Sequence, residues 1–296
     1  MTTATFRYID VSSYDPHATE PFKKPWNKVD GPGFSYNLAA HQCSVEDLRG
    51  QESNFTIDNA GFAVYRHSAK ESAFTDDDQV RTGYYQEVKE LLRNKLADVK
   101  KVVIFDHTIR RRSQGSSRRP VELVHVDQTP SAAEMRVRRH LPEDEAKLLL
   151  NGRYQIVNVW RPIRNPAVDF PLAVIDWRST RPSNYVKVDL LYPKSFQDKG
   201  EVAPDPASAQ STEGYEVKGE QYAITHDENH QFFYLKDMAP EEVMLIKCFD
   251  SRSSTLTGGK TDIAHAACHT AFYDPCTPPG SPARQSIEVR CLVFYD

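Results

Sequence analysis

The run VELVHVDQT, residues 121–129, sets a histidine and an aspartate two positions apart, His125 and Asp127, in an apolar segment built on Val121, Leu123, Val124 and Val126. Successive side chains of a strand alternate faces, so an imidazole and a carboxylate at i and i+2 project to the same side. Two readings of the pair are open. A satisfied interior histidine, followed by an aspartate that starts the turn into QTPS, requires no chemistry. Alternatively the pair is two thirds of a 2-His-1-carboxylate set, which holds a non-haem Fe(II) and leaves three coordination positions free. That reading needs a third ligand from elsewhere in the chain and a group to hold a cosubstrate.

Candidates for both lie near the C-terminus. IAHAACHTAFYDP offers His265 and His269. Their four-residue spacing also suits a helical zinc pair, but that would need further ligands and a helix that HTAFYDP does not support. Cys268 would then face away from His269 into the core. Beyond them, in RQSIEVRCLVFYD, Arg284 and Ser286 share one face of a strand and Arg290 joins it by parity. A guanidinium offers a carboxylate two parallel donors, and an arginine on the inward face of an apolar strand is costly without an anionic partner.

Such residues must be carried on strands, and the sequence is rich in them. YQIVNVWRPI, FPLAVIDWRS, YVKVDLLY, QFFYLKD, EVMLIKCFDS and QSIEVRCLVFY are β-branched and aromatic runs separated by turn residues, and KVVIFDHTIR reads as a further buried strand. Together with the His125 segment they predict a β-barrel or double-sheet jelly roll. DDDQVRTGYYQEVKELLRNKLADVK places Val80, Tyr84, Val88, Leu91, Leu92 and Leu96 on one helical face behind an acidic start. A second helical stretch is expected after the His125 strand, with Ser131 and Glu134 at capping-box spacing, resuming near Pro142. Residues 1 to about 60 read as an irregular arm wrapping the body. The expected partition is an arm and helical elaboration over 1–100 on a core over 101–296, within one domain. Residues 198–214 read as a surface loop, and the basic stretch from Arg110 to Pro120 as a solvated excursion.

Composition narrows the function. The 296 residues are 39% hydrophobic and 10% aromatic, enough for a sizeable core, and the formal charge of −4 provides no overall basic field for nucleic acid or an acidic membrane. No apolar run reaches the roughly 18 residues a membrane span needs. Five cysteines, without a C-x-x-C pair, suggest reduced thiols and a soluble cytoplasmic protein.

As an ordered set, FDHTIR, VHVDQTP, NVWRPI, FPLAVID, FDS, HTAFYDP and RQSIEVRCLVFYD run from about residue 105 to the end. The set resembles the Fe(II)/2-oxoglutarate-dependent oxygenases, and more narrowly the AsaB-like hydroxylase/desaturase family of fungal specialised metabolism, to which the gibberellin GA4 desaturase belongs. The resemblance implies a mainly β fold with flanking helices around a double-stranded β-helix, the cupin-like jelly roll. It implies His125, Asp127 and His269 as iron ligands, Arg284 as the partner of the distal carboxylate of 2-oxoglutarate, and Ser286 as its helper. It sets Asn158, Trp160 and Arg161 on or near the cavity wall, and Arg110 beside them in the DHTIR motif. Fe(II), 2-oxoglutarate and O2 are the implied cofactors, and a small molecule is the implied partner. Arg161 and Arg290 would favour a carboxylate on that molecule, and a homodimer is compatible with the sequence. Two other readings stand beside the oxygenase: a catalytically silent subunit of the same fold, and a cupin-like metal enzyme that uses no oxoacid.

Overall fold

The computed structural model describes residues 1–14, 24–29, 33–111, 120–194, 211–253, 255–256 and 258–295. The basic stretch between Arg111 and Pro120, and most of the 198–214 loop, lie outside these. The described strands are β1 (Thr2–Asp10), β2 (Trp26–Lys28), β3 (Asn37–Asp47), β4 (Phe62–Arg66), β5 (Val99–Arg111), β6 (His125–Val126) and β7 (Tyr154–Pro162), then β8 (Leu172–Ile175), β9 (Tyr185–Pro193), β10 (Tyr215–Ile224), β11 (Phe232–Tyr234), β12 (Glu242–Asp250), β13 (His269–Ala271) and β14 (Gln285–Tyr295). They form a nine-stranded sheet in the order β1-β3-β11-β8-β13-β6-β10-β9-β2 and a five-stranded sheet in the order β4-β12-β7-β14-β5. The two face each other as the expected double-stranded β-helix.

Strand β14 shows how one segment serves both sides of the smaller sheet. Ile287, Val289, Cys291 and Val293 are fully buried against the helix α2 (Tyr85–Lys95), whose Val88, Leu91 and Leu92 cover that face. Each such side chain contributes about 1.5–3 kcal/mol by leaving water. The alternate residues Ser286, Glu288 and Arg290 turn the other way, towards the nine-stranded sheet, until Leu292 and Phe294 close that side with the Phe6, Phe249 and Phe272 cluster. The segment before α2 starts where acidic residues suggest. Asp76 caps a short α1 (Asp77–Gln79) by accepting from the Asp78 and Gln79 amides at 2.9 and 3.2 Å, and a π-helical stretch over Val80–Tyr84 joins it to α2.

Two expectations are corrected. Residues 1 to about 60 are not an irregular arm: β1 pairs antiparallel with β3 from Thr2↔Val45 to Asp10↔Asn37, and just beyond them β4 pairs with β12 in the other sheet. The first hundred residues therefore contribute strands to both sheets instead of packing onto a core of 101–296. The period-two pattern is present in TTATFRYID, where Ala4, Phe6 and Tyr8 are buried between exposed Thr3, Thr5 and Arg7, but three threonines and an arginine dilute its hydrophobicity. The helix α3 (Pro130–His140) is capped by Thr129, not by Ser131. Pro130 lacks an N–H and takes the first helical position, so the residue before it becomes the cap. Pro142 precedes α4 (Glu143–Leu150), as its position suggested. No described helix is long and apolar enough to cross a membrane.

Candidate metal centre

His125 and His269 meet in the middle of the nine-stranded sheet. β6 is two residues long and lies between β10 and β13, with His125 opposite Ala223 on one side and opposite His269 on the other. Their ring centroids are 4.4 Å apart. Asp127 follows one residue past the end of β6, and parity turns its carboxylate to the same side. Its Oδ1 lies 3.3 Å from Nε2 of His125 and 3.9 Å from Nε2 of His269. Among the described residues this is the one cluster of three potential metal ligands, all within 4.8 Å of one another.

The backbone selects which imidazole nitrogens face the centre. Nδ1 of His125 is 2.7 Å from the Leu123 carbonyl, and Nδ1 of His269 is 3.1 Å from the Ala267 carbonyl. A carbonyl only accepts, so each Nδ1 carries the hydrogen and each neutral ring keeps its lone pair on Nε2. In both cases the acceptor is two residues back along the same chain. Burial disfavours charge on His269, and the neighbouring His125 adds to it, so its pKa falls. Burial also opposes charge on His125, but Asp127 outweighs it and raises the pKa. Asp127 is held well below the usual carboxylate range: burial works against ionisation, and Arg290, then His125 and His269, override it.

The second carboxylate oxygen of Asp127 is held from the opposite sheet. Its Oδ2 accepts from Nδ2 of Asn158 at 2.7 Å and from Nε of Arg290 at 3.2 Å. Arg290 and Asn158 are themselves paired across β14 and β7. The remaining nitrogens of Arg290 reach Glu288 Oε1 at 2.6 Å, and Asp106 Oδ2 and Thr108 Oγ1 at 3.1 and 3.0 Å. Three carboxylates, Asp127, Glu288 and Asp106, thus share one guanidinium, which leaves the cluster negative.

These residues fit a divalent metal. Two ligand atoms each about 2.1 Å from one ion, at right angles, are roughly 3 Å apart, close to the spacing between Oδ1 and the nearer Nε2. Two lone pairs and one anionic oxygen converge, each imidazole is oriented by a second hydrogen bond, and the surplus negative charge calls for a cation. Asn158 Oδ1 adds an independent sign: it is buried and has no hydrogen-bond partner among the described residues, the condition of an acceptor awaiting a donor.

The other expected site residues divide. Arg284, 4% exposed, donates from Nη1 to the Phe170 carbonyl at 2.6 Å, and its guanidinium lies 5.7 Å from the centre of the Trp160 ring. Trp160 pairs with Glu288, and Ser286, fully buried, lies between Arg110 on β5 and Pro162 on β7. Arg161 is a correction. It sits on the opposite face from Asn158 and Trp160, beside Tyr84, with Nη1 on the His67 carbonyl at 2.9 Å and Nη2 on His67 Nδ1 at 2.9 Å. Arg290 is a second: its guanidinium is engaged by protein carboxylates and so is not available to a substrate carboxylate. His265 stands apart from the cluster, with Nδ1 between the hydroxyls of Ser253 and Thr255 at 3.2 and 3.0 Å. Cys268 is buried in the core as expected. The tie from Asn158 and Arg290 to Asp127 was not anticipated. Its signal is parity alone, since Glu288 and Arg290 share a face with Arg284 and Ser286.

Known proteins resemble this chain along most of its length. Residues 8–294 match a family described as YDMC, Oxidoreductase/YMDC permease-like domain. Hydroxylase/desaturase poxK of Penicillium oxalicum is 32% identical over 269 residues, covering 86% of this chain and 79% of that protein. The chain is a member of the hydroxylase/desaturase family. This hydroxylase/desaturase homologue is also 41% identical over 169 residues to Aspirochlorine biosynthesis protein N of Aspergillus oryzae, a stretch covering 57% of the chain and 59% of that relative. Among solved structures, the iron and alpha-ketoglutarate-dependent endoperoxidase NvfI, from Aspergillus novofumigatus, superposes with a TM-score of 0.77 at 25% identity, over 99% of this chain and 97% of that one.

Proposed function

We propose that His125, Asp127 and His269 hold Fe(II) through their Nε2, Oδ1 and Nε2 atoms, and that Arg284, with Ser286 beside it, receives the distal carboxylate of 2-oxoglutarate. The enzyme is an Fe(II)/2-oxoglutarate-dependent oxygenase of fungal-type specialised metabolism, acting on a small molecule and consuming O2 with release of succinate and CO2. The observation that carries the ligand assignment is the convergence of the three donor atoms with both Nδ1 positions committed to backbone carbonyls.

Bound there, the iron supplies the oxidising chemistry that removes hydrogen from an unactivated C–H bond. The chain's own part is positional. The two carbonyls keep the imidazoles in the ligating tautomer, and the sheet holds His125 and His269 at fixed separation. The buried Arg284 offers a desolvated cation to a dianionic cosubstrate, where a charge-assisted pair is strongest. The buried Trp160 ring lies beside the Arg284 guanidinium and helps to keep it desolvated. Hydroxylation, desaturation and oxidative ring formation are all open to such a site, and the placement of the substrate, to within about 1 Å, selects among them. Arg161 and Arg290 are engaged by groups of the protein itself, so neither is assigned to a substrate carboxylate. A silent subunit is disfavoured by the completeness of the donor set. All five cysteines are free, and on that ground we assign the enzyme to the reducing cytoplasm.

The test is an anaerobic titration of apoprotein with Fe(II) and then 2-oxoglutarate, followed by visible absorption. A metal-to-ligand charge-transfer band that appears in the wild type and is lost in His269→Ala supports both assignments. Fe(II) binding without the band would overturn the oxoacid assignment, and no binding would overturn the metal centre.

A further inference from the structure

We propose that Asn158 and Arg290 are positioning residues that make Asp127 a one-oxygen ligand. The inference rests on the metal reading given above. It starts from the division of labour between the two oxygens of Asp127. Oδ1 faces both imidazole Nε2 atoms, whereas Oδ2 accepts from Asn158 Nδ2 and Arg290 Nε. A carboxylate free to rotate can offer a cation both oxygens and occupy two positions. Two donors on Oδ2 remove that option and leave a third position of the ion for an incoming molecule.

The clamp is built from the facing sheet, so it is independent of the strands that carry the histidines. Asn158 on β7 and Arg290 on β14 are direct cross-strand partners, which places both side chains over the same carboxylate. Arg290 is in turn fixed by Glu288, Asp106 and Thr108. Its Nε is thereby aimed at Asp127 while its terminal nitrogens are committed to other groups. Asn158 is fully buried. The amide has one orientation that serves Asp127, because only Nδ2 can donate to Oδ2, and this orientation is what leaves Oδ1 as a buried acceptor without a partner.

The test uses full-length apoprotein and Co(II), whose visible spectrum reports coordination number without turnover. Asn158→Ala and Arg290→Lys are compared with the wild type by Co(II) titration, Co(II) absorption and thermal melting of the metal-free form. Each variant should bind Co(II) roughly 10- to 100-fold more weakly, with a spectrum altered towards higher coordination. Asn158→Asp, which keeps an oxygen but adds a second anion beside Asp127, should fail to restore the wild-type spectrum. Unchanged affinity and spectrum in a variant whose melting temperature falls would overturn the proposal and reduce the pair to packing. Wild-type protein that binds no Co(II), or whose binding is indifferent to His269→Ala, would overturn the metal reading itself. Should Arg290→Lys not fold, Glu288→Gln loosens the same guanidinium at lower cost and is read in the same way.

Discussion

His269 lies directly opposite His125 in the pairing of β13 with β6, and the two rings sit 4.4 Å apart with their Nδ1 atoms turned back to their own backbones. The register of one short strand against another therefore sets the distance between two nitrogens. A one-residue slip would send one imidazole to the opposite face.

Removal of a ring should separate chemistry from folding. His125→Ala and His269→Ala are expected to abolish succinate release and Fe(II) binding while the metal-free protein keeps its circular dichroism spectrum. Asp127→Ala should abolish turnover as well and also lower stability, by about 1–3 kcal/mol, because Arg290 and Asn158 lose a buried acceptor. Urea denaturation of the apoproteins measures the difference between the two classes.

Loss of the Arg284 guanidinium should act on the cosubstrate. Charge-assisted hydrogen bonds contribute about 1.5–3 kcal/mol, so Arg284→Ala is expected to raise the 2-oxoglutarate concentration for half-maximal turnover roughly tenfold to a hundredfold, with Fe(II) affinity retained. An unchanged requirement would assign the cosubstrate to another cation.

Acid should destabilise the fold through two histidines outside the metal cluster. His230, between Tyr8 and Asn184, and His265, between Ser253 and Thr255, are both pushed down to about 4, in each case chiefly by burial. Each is neutral when folded and protonates near pH 6.5 when unfolded, so the unfolded state binds more protons between these values. Stability therefore falls as pH drops from about 6.5 towards 4, by at most roughly 1.4 kcal/mol per pH unit for each residue, and levels off below. Urea midpoints at pH 7.5, 6 and 5 should follow this slope, and His265→Gln should reduce it.

The N-terminal segment is tied down by a lysine. Asp189 and Glu220 are buried cross-strand partners on β9 and β10, and Lys24 bridges them, at 2.7 Å from Asp189. Glu220 also accepts from Thr129 and Ser131 beside the start of α3. Like charges directly opposite each other destabilise a sheet. Lys24→Met should cost about 1–2 kcal/mol, discounted because the lysine is half-exposed. The double variant with Glu220→Gln should recover part of that loss in urea denaturation.

The β-rich runs from Tyr154 onward, the acidic start before α2 and its apolar face were legible because they obey local rules: period two, period 3.6 and capping at an acidic residue. The strands near the N-terminus were harder to see. β1 and β3 are half-exposed and interrupted by polar residues such as the three threonines of β1 and Asn37, His41 and Gln42 of β3, and they become strands by pairing with each other and, for β3, with β11. Arg161 was misplaced because residue type and motif do not state which face of β7 looks inward.

By itself the sequence determined that His125 and Asp127 share a face, that Arg284, Ser286 and Arg290 share another, and that a mainly β chain carries them, since side-chain alternation along a strand is a local property. Tertiary structure decided what those faces meet. The pairing of β13 with β6 inside one sheet brings His269 beside His125, and the closing of the second sheet on the first sets Asn158 and Arg290 on Asp127. Such contacts span 31 to 163 residues of chain, and no local rule governs separations of that size.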